Sequence, residues 1–316
     1  LHTYSGRRGT PTPTILGHEI LGEVVDCGGS VSGFEGKPLK KGERVTWSIA
    51  ASCGDCFYCR HGLPQKCEHL FKYGHEKMSA AHPLSGGLAE YCHLARGTAI
   101  VRIPDELPDE AACPVNCATA TVAAALRYAG LVAGETVLIQ GAGMLGLTAA
   151  AMAARLGARE VLVCDVDPGR LALAARFGAT RRIDVSAGEE TLRESVASAT
   201  DGRGVDMAIE LSGAPNAMAD GLATLRIGGR YILVGAVFPA PPVPVDAESI
   251  VRRLIRIQGL HNYTPQDLAT AVAFLKDSHE CYPFEELVEK RYTLGEAPTA
   301  FQEALNQRML RVAVVP

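Results

Sequence analysis

Between a short apolar run and an alanine-rich stretch the chain carries Gly141-Ala142-Gly143-Met144-Leu145-Gly146. A G-x-G-x-x-G spacing means little alone and a great deal when a strand precedes it and a helix follows. Here the strand-like Val137–Gln140 leads in and the helix-like Leu145–Leu156 leads out. The first glycine permits a tight turn, the second lets the backbone approach a pyrophosphate, and the third lets helix and strand pack closely. The helix start then offers N–H groups and the positive end of its dipole to the phosphates. Gly141, Gly143, Met144, Leu145 and Gly146 are therefore the candidate dinucleotide contacts. Nineteen residues beyond Gly146, after the run Val161–Val163, stands Asp165. A carboxylate there accepts from both ribose hydroxyls and repels a 2′-phosphate, which favours NAD over NADP. Asp167 is the competing carboxylate, and Arg170 keeps NADP open because it would pair with a 2′-phosphate. A glycine turn in a flavodoxin-like fold is the alternative without a dinucleotide.

The surroundings of this turn set the fold class. Apolar runs at Val137–Ile139, Val161–Val163, Val205–Leu211, Arg230–Val234 and Leu254–Ile257 alternate with helix-like stretches, one of them through Leu171 and Phe177. Such alternation predicts an α/β fold, a doubly wound parallel sheet with helices on its faces. The earlier residues read as short strands and loops, with Glu23–Val25 and Glu43–Trp47 bounded by Gly, Pro and Ser. After about Leu260 the alternation stops, and the helical stretches Asp267–Leu275 and Ala297–Leu305 and the apolar run Arg311–Val315 close the chain. A chain of 316 residues exceeds the ~100–200 residues of one ordinary domain, so two are expected. No internal repeat is present, and Pro239–Pro244 is short enough to be a loop.

Charge excludes some partners. With 31 Lys+Arg against 35 Asp+Glu and a net charge of −4, no polybasic run exists to displace counterions from a nucleic acid. Apolar stretches such as Leu145–Ala154 fall well short of the ~20 residues a membrane span needs. No signal-peptide pattern opens the sequence, and a cytoplasmic location is expected.

Four of the ten cysteines, Cys53, Cys56, Cys59 and Cys67, are spaced C-x-x-C-x-x-C-x7-C. Disulfide frameworks belong to short, cysteine-dense secreted domains, whereas local clustering in an α/β chain points to a metal. Zinc takes four thiolates at the corners of a tetrahedron. Two-residue gaps fold three sulfurs around one ion, the longer gap returns the fourth, and Gly54 and Asp55 suit the turn. An iron–sulfur cluster is the rival metal site, and buried free thiols or disulfides the metal-free one.

These features, with Gly17-His18-Glu19, Gly87-Leu88-Ala89-Glu90-Tyr91, Asn116-Cys117-Ala118-Thr119 and Gly228-Gly229, resemble the zinc-dependent alcohol dehydrogenase branch of the medium-chain dehydrogenase/reductase superfamily, along nearly the whole chain. The resemblance implies a β-rich GroES-like catalytic domain over residues 1–120, completed by 261–316, and a six-stranded Rossmann domain over 121–260. It implies dimers or tetramers and a small-molecule alcohol or carbonyl substrate. A zinc of the family's catalytic type has three protein ligands and one open position. His18 would supply the imidazole and Cys117 the distal thiolate, with Glu19 just outside the ligand shell or approaching the metal when water leaves. Read alone, His18 would be a hydrogen-bonded core residue and Cys117 a small apolar filler. His2 matches the family's relay histidine, and an ordinary pKa of about 6.5 suits proton transfer to solvent.

One departure stands out. The family's first zinc cysteine lies in a C-G-x-D-x-H stretch, and Leu1–Gly6 is similar to its tail, so that cysteine would fall four residues before Leu1. The chain is thus expected to be N-terminally truncated, with the cysteine-loop zinc intact and the catalytic zinc weak. The reading that follows is hydride transfer from an alcohol to NAD, with zinc polarising the alcohol oxygen. A zinc-free quinone or enoyl reductase shares the fold, but such relatives have no need of His18 and Cys117. A non-catalytic cofactor-binding protein is the third reading. The segment from Leu63–Cys67 through Lys72–Glu76 is similar to a subgroup proposed to act in phosphonate catabolism, while polyol and threonine dehydrogenases are similar throughout.

Overall fold

The computed structural model describes residues 1–9, 11–186, 188–307 and 309–316. In chain order the strands are β1 (Gly22–Glu23), β2 (Arg44–Trp47), β3 (Ala50–Ala51), β4 (Phe71–Lys72), β5 (Ile100–Arg102), β6 (Thr136–Gln140), β7 (Glu160–Asp165), β8 (Arg181–Asp184), β9 (Val205–Glu210), β10 (Leu225–Leu233), β11 (Arg256–Gly259), β12 (Val288–Thr293) and β13 (Arg311–Val315). The chain forms two compact units, one of residues 1–120 with 263–316 and one of residues 121–262.

The second unit is a six-stranded sheet in the order β11-β10-β9-β6-β7-β8, with every neighbouring pair parallel. Parallel neighbours need crossovers, and the helices that follow α1 (Phe57–Arg60), α2 (Asp109–Ala112) and α3 (Ala120–Ala129) supply them: α4 (Met144–Arg155), α5 (Pro168–Arg176), α6 (Glu189–Thr200) and α7 (Pro215–Thr224). The strand order reverses at β6, beside which the glycine turn lies. All five residues of β6 are buried, as expected for a central strand covered on both faces. The small side chains of Ala149, Ala150, Ala151 and Ala153, none of them exposed, let α4 lie close against it.

Two strands differ from the sequence expectation. β8 has only Ile183 buried among Arg181, Arg182 and Asp184, so an edge strand with one apolar contact shows no apolar run. β11 starts at Arg256, because Leu254 takes a left-handed conformation that closes the preceding helix, α8 (Ala247–Arg253).

The first unit is β-rich. A three-stranded antiparallel sheet, β1-β2-β5, and the antiparallel pair β3-β4 surround Ile20, Val24, Val45, Trp47, Tyr73 and Ile100. Trp47 meets Tyr73 edge to face at 6.2 Å, a geometry aromatic pairs prefer. The last 54 residues of this unit begin at Tyr263, whose hydroxyl accepts from Ile49 N at 3.0 Å and donates to the Asn116 carbonyl. They add the helices α9 (Pro265–Lys276) and α10 (Ala297–Asn306) and the parallel pair β12-β13.

One buried polar cluster fixes α7 against the sheet. The Tyr231 hydroxyl donates to Gln140 Oε1 at 2.6 Å, and Gln140 Nε2 donates to the Ala217 carbonyl at 2.6 Å. A side chain at Gly221 would run into both groups, which explains a glycine inside a helix. Tyr231→Phe leaves the amide oxygen without its donor, and unfolding in urea is expected to show a loss of about 1–3 kcal/mol. An unchanged midpoint would show that the cluster does not hold α7.

Candidate active site

The four-cysteine segment folds into a knuckle whose sulfurs all lie within 4.8 Å of one another. Cys67 Sγ is 3.5 Å from Cys53 Sγ and 3.8 Å from Cys56 Sγ. Four thiolates on one zinc at ~2.3 Å stand about 3.8 Å apart, whereas a disulfide needs about 2.05 Å. Backbone N–H groups point at the sulfurs: Asp55 and Cys56 donate to Cys53, Glu68 to Cys56, and Cys53 and His69 to Cys67. The N–H groups of Glu68 and Cys59 draw the Cys56 thiol down to about 6. Donors gathered around sulfur stabilise thiolate, the form that binds metal, so this knuckle fits a zinc ion.

The second cluster joins segments far apart in sequence. Gly17-His18-Glu19 lies against Gly87 and Leu88, whose N–H groups donate to the carbonyls of Gly17 and Leu16. Cys117 sits in a π-helical turn, Val115–Thr119, that precedes the helix α3 (Ala120–Ala129). Such turns recur at functional sites because they re-aim one side chain. Asn116, fully buried, joins the two segments: Oδ1 accepts from Ile20 N at 3.1 Å, and Nδ2 donates to the carbonyls of His18 at 2.9 Å and Trp47 at 3.0 Å. His18 Nε2 and Cys117 Sγ are thereby brought to 3.5 Å. A nitrogen and a sulfur on one tetrahedral zinc stand about 3.6 Å apart. Glu19 completes the group, with ligand atoms of all three residues within 4.8 Å. His2 lies outside it, exposed in the turn at Leu1–Gly6.

Burial sets the protonation states. It pulls the His18 imidazole down to about 4, so the ring is neutral near pH 7. It pushes the Cys117 thiol up to about 12, with the Glu19 charge adding to the effect. Burial would also raise the Glu19 carboxyl, but Arg311 outweighs it and holds the group below the ordinary carboxylate range. Arg311 Nη2 donates to Glu19 Oε1 at 3.0 Å, and Nε lies 3.0 Å from Oε2, a two-point pair. Arg311 opens β13, 292 residues away in the chain. The sequence marks it only as one charge at the head of an apolar run, and pattern reading missed it.

In the other unit the three glycines divide the roles expected of them. Gly141 has φ +102° at the turn. Gly143 faces open space, with nothing within 4 Å of an added Cβ, and a Cβ on Gly146 would fall 1.8 Å from the Gly141 carbonyl oxygen. Leu147 N makes the bond to Gly143 O, so the N–H groups of the first turn of α4 point beyond the helix end. This open cradle at the end of β6 fits a dinucleotide pyrophosphate. The Met144 side chain is buried and Leu145 half-buried, which leaves their backbone rather than their side chains for a ligand. Asp165 Oδ2 accepts from Ala142 N at 2.6 Å and Oδ1 from Asp167 N at 2.9 Å, placing this carboxylate beside the glycine turn. Asp167 is the N-cap of α5 and accepts from Gly169 N and Arg170 N, a helix-starting task that occupies the rival carboxylate.

Comparison with known proteins agrees with this geometry. Residues 1–105 match the family of the alcohol dehydrogenase GroES-like domain, and residues 145–277 match the zinc-binding dehydrogenase family. The chain is similar to L-threonine 3-dehydrogenase of Alteromonas mediterranea, 36% identical over 79% of this chain and 68% of that protein. It is also similar to D-arabitol-phosphate dehydrogenase of Enterococcus avium, 32% identical over 99% of this chain and 85% of that one. An alcohol dehydrogenase of Thermotoga maritima superposes with a TM-score of 0.94 at 29% identity, covering 100% of this chain and 87% of the other. The chain belongs to the zinc-dependent alcohol dehydrogenases of the medium-chain dehydrogenase/reductase superfamily. It is a zinc-dependent oxidoreductase acting on the CH–OH group of its substrate with a nicotinamide dinucleotide. Among the described residues no helix is long and apolar enough to cross a membrane.

The Glu19–Arg311 pair generates a stability prediction. Arg311→Met strands a partly buried carboxylate and is expected to cost about 1–3 kcal/mol in urea unfolding. Adding Glu19→Gln removes the stranded charge and is expected to recover more than half of that loss. No recovery in the double variant would mean that Arg311 acts through packing rather than charge.

Proposed function

We propose that His18 and Cys117, with Glu19 beside them, hold the zinc at the reaction centre of an NAD-linked alcohol dehydrogenase. We further propose that Cys53, Cys56, Cys59 and Cys67 hold a second zinc that only shapes their loop. The observation that carries the first assignment is the 3.5 Å approach of His18 Nε2 to Cys117 Sγ across 99 residues of chain. When bound, the zinc supplies a Lewis acid for an alcohol oxygen and the nicotinamide supplies the acceptor for its hydride.

The chain's own residues prepare this chemistry. His18, neutral at working pH, presents a nitrogen lone pair without first shedding a proton. Cys117 keeps its proton on Sγ until a cation arrives, so loading this pair releases a proton that loading the Cys56 thiolate does not. Glu19 is oriented by Arg311 and adds a fixed negative charge next to the two ligands. His2, whose imidazole is lowered below its ordinary value by partial burial, stands exposed as the outlet for the alcohol proton. Asp165 supports NAD over NADP, because a 2′-phosphate at that carboxylate would meet like charge. The substrates in the names of the relatives, threonine and arabitol phosphate, are starting points for a screen.

Metal analysis and turnover test the assignment together. Wild type is expected to carry one tightly held zinc in the cysteine knuckle and a second, more weakly held one at His18 and Cys117, and to form NADH with at least one alcohol of a panel that includes L-threonine. His18→Ala is expected to lose one zinc and the activity while remaining folded, and Cys67→Ser to lose the other zinc and much of its stability. Equal zinc content in wild type and His18→Ala would overturn the reaction-centre assignment. Two zincs with no NADH from any alcohol would favour a cofactor-binding protein without catalysis. Separately, Asp165→Gly is expected to move the NADP/NAD ratio of kcat/KM upward by about tenfold or more. An unchanged ratio would remove Asp165 from cofactor selection.

A further inference from the structure

The loop that follows the cysteine knuckle presses on the His18 segment. A Cβ on Gly74 would fall 2.6 Å from the Gly17 carbonyl oxygen, so the two backbones are in contact. His75 consequently stands beside His18, ring centroids 5.1 Å apart. His75 Nδ1 donates to the Tyr73 carbonyl at 2.9 Å, which leaves Nε2 to accept from Arg8 Nη1 at 2.9 Å. That tautomer is neutral, so the charge at this spot belongs to Arg8. Two residues before Gly74 is Lys72, the last residue of β4, partly buried and within electrostatic reach of His18 and Cys117.

Lys72 stands apart from the other cations here. Arg311 is answered by Glu19. Glu76 makes its Oε1 bond to Lys72 N, the backbone rather than the ammonium. Among the described residues no carboxylate lies within ion-pair distance of Lys72 Nζ, and the other cations that act on it are Arg8 and Lys66. Burial, Arg8 and Lys66 lower its pKa, against a smaller raising effect of Cys117. Unanswered charge beside a reaction centre is a feature of ligand sites rather than of packing.

We propose that the alcohol oxidised at this site carries an anionic group, a carboxylate or a phosphoryl, which seats on the Lys72 ammonium with Arg8 beside it. Lys72 is then the specificity-determining residue, holding the substrate so that its hydroxyl reaches the space between His18 and Cys117. Arg8, engaged with His75, adds charge from a fixed position. The inference rests on the reaction-centre assignment above and adds the substrate class.

The test uses the zinc-loaded protein saturated with NAD, so that the glycine turn holds the dinucleotide's own phosphates. Inorganic phosphate and, separately, acetate are titrated by calorimetry into wild type, Lys72→Gln and Lys72→Arg. At least one anion is expected to bind wild type, to bind Lys72→Gln about tenfold or more weakly, and to recover to within about threefold in Lys72→Arg. Preference for phosphate identifies a phosphoryl group, and preference for acetate a carboxylate. Glycerol 3-phosphate, glycerate and glycerol, which share one carbon skeleton, then compete against a turned-over alcohol, and only the charged compounds should lose inhibition in Lys72→Gln. Equal anion affinity in wild type and Lys72→Gln, as direct binding to the metal would give, overturns the proposal, and so does the absence of binding by either anion. Loss of zinc or of NAD binding in wild type would instead strike the reaction-centre assignment, so the two failures are told apart on one sample.

Discussion

The arrangement around His18 depends on the side-chain amide of Asn116. That amide is fully buried, and its oxygen and both of its N–H groups are used. A buried polar group satisfied in every direction fixes one geometry, because any shift leaves a donor or acceptor stranded. The groups it binds are the main chain on either side of Glu19 and the end of β2, and its own main-chain carbonyl is held by Tyr263. Cys117 follows directly in the chain, so the same contacts that hold Asn116 also aim its sulfur. The site is thus defined by hydrogen bonds to main chain at or next to each proposed ligand, and the side chains of His18 and Cys117 are left to meet a metal.

The two candidate metal clusters use opposite electrostatics. The cysteine knuckle runs from the exposed Cys53 to the buried Cys67 and is crowded with N–H donors, which lower the thiols of Cys53 and Cys56. The His18–Cys117 pair is partly buried, and desolvation keeps its histidine neutral and its thiol protonated. Cys56 is drawn toward thiolate before a metal arrives, whereas Cys117 sheds its proton only against the approaching cation. An ion enclosed by four sulfur ligands suits a structural task. An ion with fewer anionic neighbours keeps more of its charge for a substrate oxygen.

What the sequence made legible is what is local in the chain. Cysteine spacing and the strand–glycine–helix order each lie within about twenty residues, and each describes one turn of backbone whose chemistry follows from residue type. The missed strand β8 shows the limit of hydrophobic pattern, since Arg181, Arg182 and Asp184 hide a strand that pairs fully with β7. Pattern favours Asp165, the last residue of β7, over Asp167 two residues on, but gives no task for either carboxylate. Structure separates them by task, one capping α5 and one turned to the glycine turn. Arg311 and Tyr263 reach the site only through tertiary folding, from 292 and 147 residues away in the chain. Nothing in the spacing of a charge at the head of β13 reports that Glu19 lies opposite it.

Charge balance carries the argument furthest from motif. In a buried site every ion needs a partner of opposite sign or a reason to lack one. Glu19 and Arg311 satisfy that condition within the chain. His18 and His75 satisfy it by being neutral, the first through burial and the second through a tautomer fixed between the Tyr73 carbonyl and Arg8. Lys72 does not satisfy it, and its position on the loop that presses against Gly17 puts the imbalance beside the proposed reaction centre rather than on a remote surface. A cation placed there stabilises the free protein less than an apolar residue of similar size would. Its presence is explained when part of the substrate supplies the missing negative charge, so that binding energy is spent on setting the carbinol in place.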